Sequence, residues 1–111
     1  MKQGEIWMTD FGTPSGPEQS GERPAIVLQE DALNEVLATV IVVPLTTNLK
    51  RILMPGTLRL DAGEAGLPQE SVVLGYQVQV RGKMRLRERI GALTPERFAE
   101  VRDAVLSVMG L

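Results

Sequence analysis

The 111-residue sequence contains neither histidine nor cysteine. Without these residue types the chain lacks the commonest general base, the commonest zinc ligands and the thiol nucleophile. A disulfide framework is also excluded, which permits a reducing compartment such as the cytoplasm. The composition therefore points away from zinc enzymes, thiol enzymes and disulfide-stabilised secreted domains.

Long apolar runs are also missing. No strictly apolar run exceeds four residues, as in Val40 to Val43, whereas a membrane-spanning helix needs about 18. Gly4 and Glu5 lie where a signal peptide would carry its apolar stretch. We therefore expect a mature, cytoplasmic protein without a membrane partner. A chain of this length can bury one core, so we expect residues 1–111 to form a single domain.

The charges of the chain are unevenly distributed. Residues 1–48 carry two basic and seven acidic side chains, whereas residues 49–92 carry eight basic and four acidic ones. The net charge of the whole chain is −2, but the field in a groove depends on charges within a Debye length of about 8 Å. The basic middle segment is compatible with a polyanionic partner, although a solvated charged face would have the same composition.

Short apolar, β-branched runs alternate with segments rich in glycine and proline. The runs predict strands over residues 5–10, 24–29, 38–45, 56–60, 71–80 and 90–93. Gly75 indicates a bulge or sharp bend within the fifth of these strands. Loops are predicted over residues 11–23, 30–37, 46–55 and 61–70. The expected fold is mainly β (α+β), a small, strongly bent, barrel-like sheet of five to seven strands.

The C-terminal residues change to a helical period. Thr94 provides a capping hydroxyl, Pro95 suits the first turn and Glu96 complements the helix dipole. Apolar residues then recur at spacings of three and four, namely Phe98, Val101, Val105, Val108 and Met109. We therefore expect an amphipathic C-terminal helix whose apolar stripe packs on the sheet.

The first candidate for chemistry is Arg23, which a polar, glycine-flanked loop delivers to the start of an apolar strand. Pro24 restrains Arg23 to an extended backbone, and the residues that follow fix this backbone to the core. A guanidinium held in this way suits a phosphate, whose oxygens accept two parallel hydrogen bonds. The structural alternative is an ion pair of Arg23 with Glu18 or Glu22.

A second candidate group follows the most apolar strand. Thr46, Thr47 and Asn48 lie at the exit of this strand, next to Lys50 and Arg51. Two hydroxyls and an amide beside two cations form a candidate anion-binding lip. An ordinary turn, in which these side chains bind nearby backbone groups, is the alternative.

A third candidate is a basic stretch in which every odd residue from 81 to 89 is cationic. If the stretch is extended, all of these charges lie on one face, whereas a turn near residues 83–86 would spread them around a loop. Phosphate is the obvious partner in both cases, and a charged sheet edge that resists aggregation is the alternative. The five cations are Arg81, Lys83, Arg85, Arg87 and Arg89.

The order of these motifs resembles the MazF/PemK family of toxin endoribonucleases. The resemblance covers nearly the whole chain and is most specific in the Glu-Gln-x-Gly-x-Arg-Pro loop. Several members have serine in place of Pro17, and some have histidine in place of Glu22. The matching motifs are Gly4-Glu5-Ile6-Trp7, Glu18-Gln19-x-Gly21-x-Arg23-Pro24, Val43-Pro44-Leu45-Thr46-Thr47-Asn48 and Ser71-Val72-Val73-Leu74 running to Gln77.

The resemblance implies a homodimeric, metal-independent toxin that cleaves single-stranded RNA at selected sequences and is neutralised by a cognate antitoxin. It implies contact with DNA only through an antitoxin–operator complex, and no cofactor. The family's essential arginine falls on Arg23 and its essential threonine on Thr46, and Glu18 is the candidate general base. The remaining residues expected to bind RNA are Gln19, Thr47, Asn48, Lys50, Arg51, Gln77, Arg81, Lys83 and Arg85.

The chemistry implied by the resemblance agrees with the composition. Attack by the 2′-hydroxyl of the RNA needs no protein nucleophile, and it yields a 2′,3′-cyclic phosphate and a 5′-hydroxyl. Two alternatives stay open, a CcdB-like gyrase poison that shares the barrel and a non-catalytic barrel that binds proteins. The gyrase poisons are associated with a C-terminal Trp-Gly-Ile tail, whereas this chain ends in Met109-Gly110-Leu111.

Overall fold

The computed structural model describes residues 1–13 and 21–111. This part of the chain contains two α-helices, α1 (Asp31–Val36) and α2 (Pro95–Val108). It also contains 3₁₀ segments over Leu49–Leu53, Glu64–Gly66, Gly75–Gln77 and Lys83–Arg85. The strands are β1 (Glu5–Asp10), β2 (Glu22–Val27), β3 (Thr39–Thr46), β4 (Thr57–Leu60), β5 (Ser71–Leu74), β6 (Gln79–Gly82) and β7 (Leu86–Ala92).

Strand β3 is the centre of the sheet. On one edge it pairs with β2, where Ala25 lies opposite Pro44 and Val27 opposite Val42. On its other edge the first half pairs with β6 and the second half with β5. The sheet continues from β2 through β1 to β7, and from β5 to β4, with antiparallel pairing throughout. This mainly β arrangement with a C-terminal helix is the predicted fold class.

The strand predicted over residues 71–80 consists of two strands, β5 and β6, with a 3₁₀ turn at Gly75–Gln77 between them. Both strands pair with β3, so the interruption bends this part of the chain without removing it from the sheet. Gly75 is required there because a Cβ atom would collide with the carbonyl oxygen of Gly56. The predicted bend at Gly75 is correct, whereas the single continuous strand is not.

The last predicted strand is longer than expected. Strand β7 spans Leu86–Ala92 instead of residues 90–93, and it pairs with β1. Its additional residues are mostly charged and exposed, so they lack the apolar alternation on which the prediction depended. Backbone pairing with β1 extends the strand.

The sheet carries an apolar cluster on each face. Ile26 and Val43 pack with Val101 of α2 in one cluster. Val27 and Val42 belong to a second, smaller cluster on the opposite face. Because successive residues of a strand point to opposite faces, the central strands contribute to both clusters. This explains why their sequences are almost continuously apolar.

Helix α2 begins as predicted. The Thr94 hydroxyl oxygen accepts a hydrogen bond of 3.2 Å from the backbone N–H of Arg97. Pro95 occupies the first turn, and Glu96 places a negative charge at the N-terminal end. Neither helix in the described residues is long and apolar enough to cross a membrane.

The apolar stripe of α2 is only partly covered. Val101 and Val105 are buried, whereas Val108 and Met109 are 44% and 53% exposed. The predicted packing of the stripe is therefore incomplete at its last two positions, although a methyl group of Val108 contacts Gly56. These two side chains add apolar surface to the outside of the chain.

The loop predicted over residues 30–37 contains helix α1, which side-chain amides stabilise. The Asn34 amide donates to the carbonyl oxygen of Gln29, and the Gln29 amide donates to Asn34 Oδ1, each at 2.9 Å. Both residues are buried, but Leu33 and Val36 of the same helix are exposed. Since buried polar contacts replace an apolar stripe, hydrophobic periodicity cannot detect this helix.

A partly shielded ion pair attaches the segment between β4 and β5 to α2. Arg97 Nε donates to Glu64 Oε2 at 2.6 Å, and Arg97 Nη2 donates to Glu64 Oε1 at 3.2 Å. Arg97 also donates to the carbonyl oxygen of Arg59 at 2.6 Å and to Glu100 at 2.8 Å. Hydrogen bonds from Arg97 lower the pKa of Glu64, although burial acts in the opposite direction.

We expect Glu64→Gln to lower the free energy of unfolding by about 1–2 kcal/mol at neutral pH, because it removes the charge from a shielded, doubly hydrogen-bonded pair. The lowered pKa means that Glu64 contributes this stability above its ordinary pKa and loses it as the pH falls through the lowered value. The difference between wild type and variant should therefore shrink on acidification. Urea denaturation of both proteins at neutral and acidic pH measures this difference in the free energy of unfolding.

Glu100→Gln is the matched control because Glu100 binds the same Arg97 but its side chain is 52% exposed. Exposed ion pairs contribute little, so this variant should lose less than about 1 kcal/mol. Equal losses in the two variants, or a loss at Glu64 that does not change with pH, would contradict the assignment.

Candidate functional site

Arg23, near the start of β2, and Thr46, at the end of β3, lie at the same end of two neighbouring antiparallel strands. Ala25 of β2 pairs with Pro44 of β3, and continuing this antiparallel register by two residues brings Arg23 opposite Thr46. Neighbouring strands are about 4.8 Å apart, and the side chains of opposed residues point to the same face. The two residues predicted to be catalytic are therefore adjacent across the sheet.

This alignment extends over further strands. Arg23 pairs with Thr9 of β1, and Thr9 pairs with Leu86 of β7. On the other side, Thr46 pairs with Val72 of β5. These five residues form one line across the sheet, which we call the site row. Residues that are far apart in the sequence are thereby brought within a few strand spacings of Arg23.

Arg23 points to the face of the sheet opposite α2. Alternation along β2 places it on the same face as Ala25 and Val27, which belong to the smaller apolar cluster. Ile26, between them, belongs to the cluster that packs on α2. Arg23 is half-buried, so its charged group lies at the margin of a packed surface.

The Thr46 hydroxyl takes part in the turn after β3. Its Oγ1 accepts a hydrogen bond of 3.1 Å from the backbone N–H of Asn48, and the residue is only 7% exposed. Asn48 Oδ1 in turn accepts from the backbone N–H of Lys50 at 3.3 Å. The turn that the sequence analysis left as an alternative is therefore present. Because Thr46 Oγ1 acts as an acceptor in it, the hydroxyl hydrogen is still available to a ligand.

The predicted lip continues from Thr46 out of the sheet. Thr47, Asn48 and Lys50 are exposed, and Arg51 is half-buried in the 3₁₀ segment that follows. These four residues lie at the same end of β3 as Thr46. The structure thus brings the second candidate group together beside the site row.

The structure spreads the basic stretch around a corner. Arg81 on β6 pairs with Val40, which is about 20 Å from Thr46 along β3. Lys83 and Arg85 belong to the 3₁₀ turn that precedes β7. The interrupted form of the stretch is therefore correct. Arg85 directly precedes Leu86 of the site row. The backbone of Arg81 is more distant, but its guanidinium carbon lies 5.4 Å from the centroid of the Phe11 ring, two residues beyond Thr9.

Acidic residues of β1 bind several of these cations. Asp10 Oδ2 accepts from Arg85 Nη1 at 3.0 Å and from Arg87 Nη2 at 3.2 Å. Glu5 Oε2 accepts from Arg89 Nε at 2.7 Å. Burial alone would raise the pKa of Glu5, but hydrogen bonds, with that from Arg89 the largest of them, lower it. The basic stretch is therefore partly neutralised by its neighbouring strand.

The remaining predicted residues are placed as follows. Gln77 is half-buried in the 3₁₀ turn between β5 and β6. Glu18 and Gln19 lie outside the described residues, so their roles stay predictions. Within residues 1–13 and 21–111, no group of three or more acidic side chains is arranged to hold a metal ion.

Two residues of this region, Thr9 and Asp10, were not among the predicted ones. Thr9 is fully buried, and its hydroxyl donates to the carbonyl oxygen of Trp7 at 2.9 Å. Asp10 contacts side chains 75 and 77 positions later in the chain. No motif spacing connects residues so far apart. An acid at the end of the first strand and an arginine-rich last strand are the only sequence signals.

Comparison with known proteins identifies the class. Residues 2–109 match the family model described as PemK-like, MazF-like toxin of type II toxin-antitoxin system. The chain therefore belongs to this toxin family. Among curated proteins it is similar to Endoribonuclease MazF of Staphylococcus saprophyticus, with 30% identity over 111 residues that cover 100% of this chain and 92% of the relative. The predicted class, a MazF-like toxin endoribonuclease, is confirmed.

Solved structures share the fold. MazF from Deinococcus radiodurans is 28% identical, with a TM-score of 0.85 over 100% of this chain and 97% of that chain. A MazE–MazF structure from the same organism is also 28% identical, with a TM-score of 0.79 over 100% and 96%. An endoribonuclease in complex with its cognate antitoxin from a mycobacterial species is 23% identical and shares the fold at a TM-score of 0.81, over 100% and 96%.

We expect Thr46→Val to lower both stability and activity. Valine keeps the β-branched shape but cannot accept from Asn48, which should cost about 1 kcal/mol of stability. If the hydroxyl also donates to the reacting phosphate, the cleavage rate per folded molecule should lose about 2–4 kcal/mol of transition-state stabilisation. Melting temperature and single-turnover RNA cleavage separate the two effects.

Thr47→Val is the control because Thr47 is exposed next to Thr46, and no hydrogen bond of its side chain is found in the described residues. Thr47→Val should lower the melting temperature and the cleavage rate less than Thr46→Val does. A Thr46→Val protein that melts early but cleaves at the normal rate would remove Thr46 from the site.

Proposed function

We propose that this protein cleaves single-stranded RNA at selected sequences without a metal ion, through attack of the substrate's 2′-hydroxyl on the adjacent phosphate. The observation that carries the proposal is the register between β2 and β3, whose continuation beyond Ala25 and Pro44 brings Arg23 opposite Thr46 on one face of the sheet. The new 2′-oxygen–phosphorus bond forms while the bond from phosphorus to the 5′-oxygen breaks. The products are a 2′,3′-cyclic phosphate and a 5′-hydroxyl.

Arg23 binds the scissile phosphate in this mechanism. The following Pro24 and the fully buried Ala25 hold its backbone, so the guanidinium approaches the substrate from an ordered strand. Two parallel N–H donors match two phosphate oxygens and stabilise the charge that develops in a phosphorane-like transition state. A guanidinium stays protonated in proteins, so Arg23 stabilises charge and does not act as the base.

Thr46 and Glu18 complete the proposed catalytic set. The separation of about 4.8 Å between adjacent strands allows the Thr46 hydroxyl and the Arg23 guanidinium to reach one phosphate group together. Thr46 donates to a non-bridging oxygen. Glu18, the acid of the Glu-Gln-x-Gly-x-Arg-Pro motif, takes the proton of the attacking 2′-hydroxyl, and the departing 5′-oxygen gains a proton from water.

The RNA strand extends to both sides of the catalytic residues. The lip after β3 and the turn before β7 lie at opposite sides of Arg23 along the site row. Polar groups of the lip after β3 orient the nucleotides. Cations of this lip and of the turn before β7 bind phosphates. The proposed RNA-binding residues are Gln19, Thr47, Asn48, Lys50, Arg51, Gln77, Arg81, Lys83 and Arg85.

We further propose that the protein acts as a homodimer in the cytoplasm, as one toxin domain. An exposed apolar groove of about 290 Å³ is lined by Ile41, Val78, Val80 and Met109. These side chains are 36–54% exposed, and a second copy would remove them from water. A cognate antitoxin is the expected regulator, since MazF of Deinococcus radiodurans has been solved together with MazE. DNA is contacted only through an antitoxin–operator complex.

Cleavage in the absence of divalent metal is the first test. We expect the purified protein to cut a long, defined RNA in EDTA, because the mechanism uses only protein side chains and the substrate's 2′-hydroxyl. Mapping of the 5′ ends should show 5′-hydroxyl termini at a restricted set of sequences. Loss of cleavage in EDTA with recovery in magnesium would overturn the mechanism. An Arg23→Ala preparation controls for contaminating nucleases.

The role of Arg23 gives the second test. Arg23→Ala should lower the cleavage rate by about 10²-fold or more, because the developing charge loses its partner. Arg23→Lys should recover little of the rate, because an ammonium group cannot form two parallel hydrogen bonds. Arg102→Ala on α2 removes the same charge from an exposed ion pair and should cleave normally. Normal activity of Arg23→Ala would disprove the role.

A further inference from the structure

Asp10, Arg85 and Arg87 form an ionic cluster at the end of the site row, which we call the Asp10 cluster. One carboxylate oxygen, Asp10 Oδ2, accepts from both Arg85 Nη1 (3.0 Å) and Arg87 Nη2 (3.2 Å). The other oxygen, Oδ1, accepts from the backbone N–H of Gly12 at 2.8 Å. Both carboxylate oxygens therefore have defined partners, and the carboxylate is fixed in place.

The carboxylate of the cluster is ionised and lies deeper than the two guanidinium groups. The hydrogen bond from Gly12 and those from Arg87 and Arg85 lower the pKa of Asp10. Its side chain is 23% exposed, whereas those of Arg85 and Arg87 are 49% and 54% exposed. A guanidinium has five N–H donors, and each arginine uses one of them on Asp10. In the part of the chain that the structure describes, no other side-chain partner of these two guanidinium groups is found, so donors are left for a ligand.

The position of the cluster relates it to the proposed catalytic residues. Leu86, between the two arginines, pairs with Thr9, and Thr9 pairs with Arg23. Leu86 and Arg23 are therefore two strand spacings apart, about 10 Å. This distance is too long for both sites to bind the same phosphate. Asp10 follows Thr9 on β1 and alternates to the other face of the sheet, so a phosphate bound by the cluster belongs to a part of the RNA strand away from the scissile phosphate.

The shared carboxylate also determines the arrangement of the two cations. Arg85 and Arg87 repel each other, and without an anion between them their long side chains would separate. Bonding to one oxygen atom keeps both guanidinium groups at close range. The exposed parts of the pair can then contact a single phosphate group from two directions, with donors that match its oxygens.

We propose that Asp10 is a positioning residue for RNA binding, which holds Arg85 and Arg87 together so that they bind one backbone phosphate of the RNA strand. The inference rests on the proposed function for the identity of the ligand. It adds Arg87 to the RNA-binding residues. It also gives a negatively charged side chain a favourable effect on the binding of a polyanion.

The sign of this effect makes the proposal testable. If only net charge mattered, removal of the Asp10 charge would strengthen RNA binding, because the local field would become more positive. If Asp10 positions the arginines, its removal weakens binding in spite of the added positive charge. The two accounts therefore predict opposite changes in the dissociation constant.

The experiment uses a fluorescein-labelled, single-stranded 2′-O-methyl RNA of mixed sequence, whose blocked 2′-oxygen allows binding without cleavage. Asp10→Asn should weaken binding by about 3- to 10-fold in fluorescence anisotropy titrations. Asp103→Asn is the matched control, because it removes the same charge on α2, where Asp103 pairs with Arg102. The control should bind as wild type or slightly more tightly. Unchanged or tighter binding by Asp10→Asn overturns the proposal.

A combined variant tests whether Asp10 acts through the arginines. Arg85→Gln and Arg87→Gln should each weaken binding, and the protein that carries both should lower the slope of log K against log salt by about 0.7, the contribution of one phosphate. In the protein that carries both substitutions, Asp10→Asn should have no further weakening effect. A further loss in this background would mean that Asp10 acts by another route, and the proposal would be wrong.

Three further outcomes have defined meanings. If thermal melting shows that Asp10→Asn does not fold, the RNA affinity of Arg87→Gln, in which Asp10 is unchanged, tests the proposal instead. Wild-type affinity of Arg87→Gln overturns the proposal. If the variants follow the expected order of affinities but the wild type does not cleave RNA, the proposed function fails while the role of Asp10 is supported. A wild-type protein that does not bind the probe overturns both.

Discussion

Strand β3 is hydrogen-bonded along both of its edges, and the register of these bonds determines which side chains meet. On one edge the register with β2 sets Thr46 level with Arg23. On the other edge β5 and β6 share the strand, so that the bend containing Gln77 lies beside its middle. A slip of one residue would turn Thr46 to the opposite face. The buried, apolar β3 therefore fixes the position of the polar site.

The sequence predicts those features that depend on local patterns. The strand content, the Thr94 cap of α2 and the bend at Gly75 each follow from a few consecutive residues. Helix α1 was missed because the buried amide of Asn34, rather than an apolar stripe, holds it. The exposure of Val108 was missed because periodicity does not show whether a surface is covered. Contacts between distant strands, such as the Asp10 cluster, have no local signal.

The electrostatics of the site differ from those of the whole chain. The protein is slightly acidic overall, and the basic stretch near β7 is compensated by acids on β1. The carboxylates of Asp10 and Glu5 each accept two or more hydrogen bonds, which lower their pKa values. The acidic side chains in this region therefore orient the arginine side chains that they bind. The net charge of a segment is a poor measure of what its surface can bind.

The close approach of Gly56 and Gly75 has a consequence for variation in this protein. The Gly75 N–H donates to the Gly56 carbonyl oxygen at 2.9 Å, and there is no room for a Cβ atom at either residue. The backbone that leads to Gln77 is thereby joined directly to the segment that follows Arg51. A side chain larger than hydrogen at Gly75 would push these two segments apart, so their spacing is set by the backbone itself.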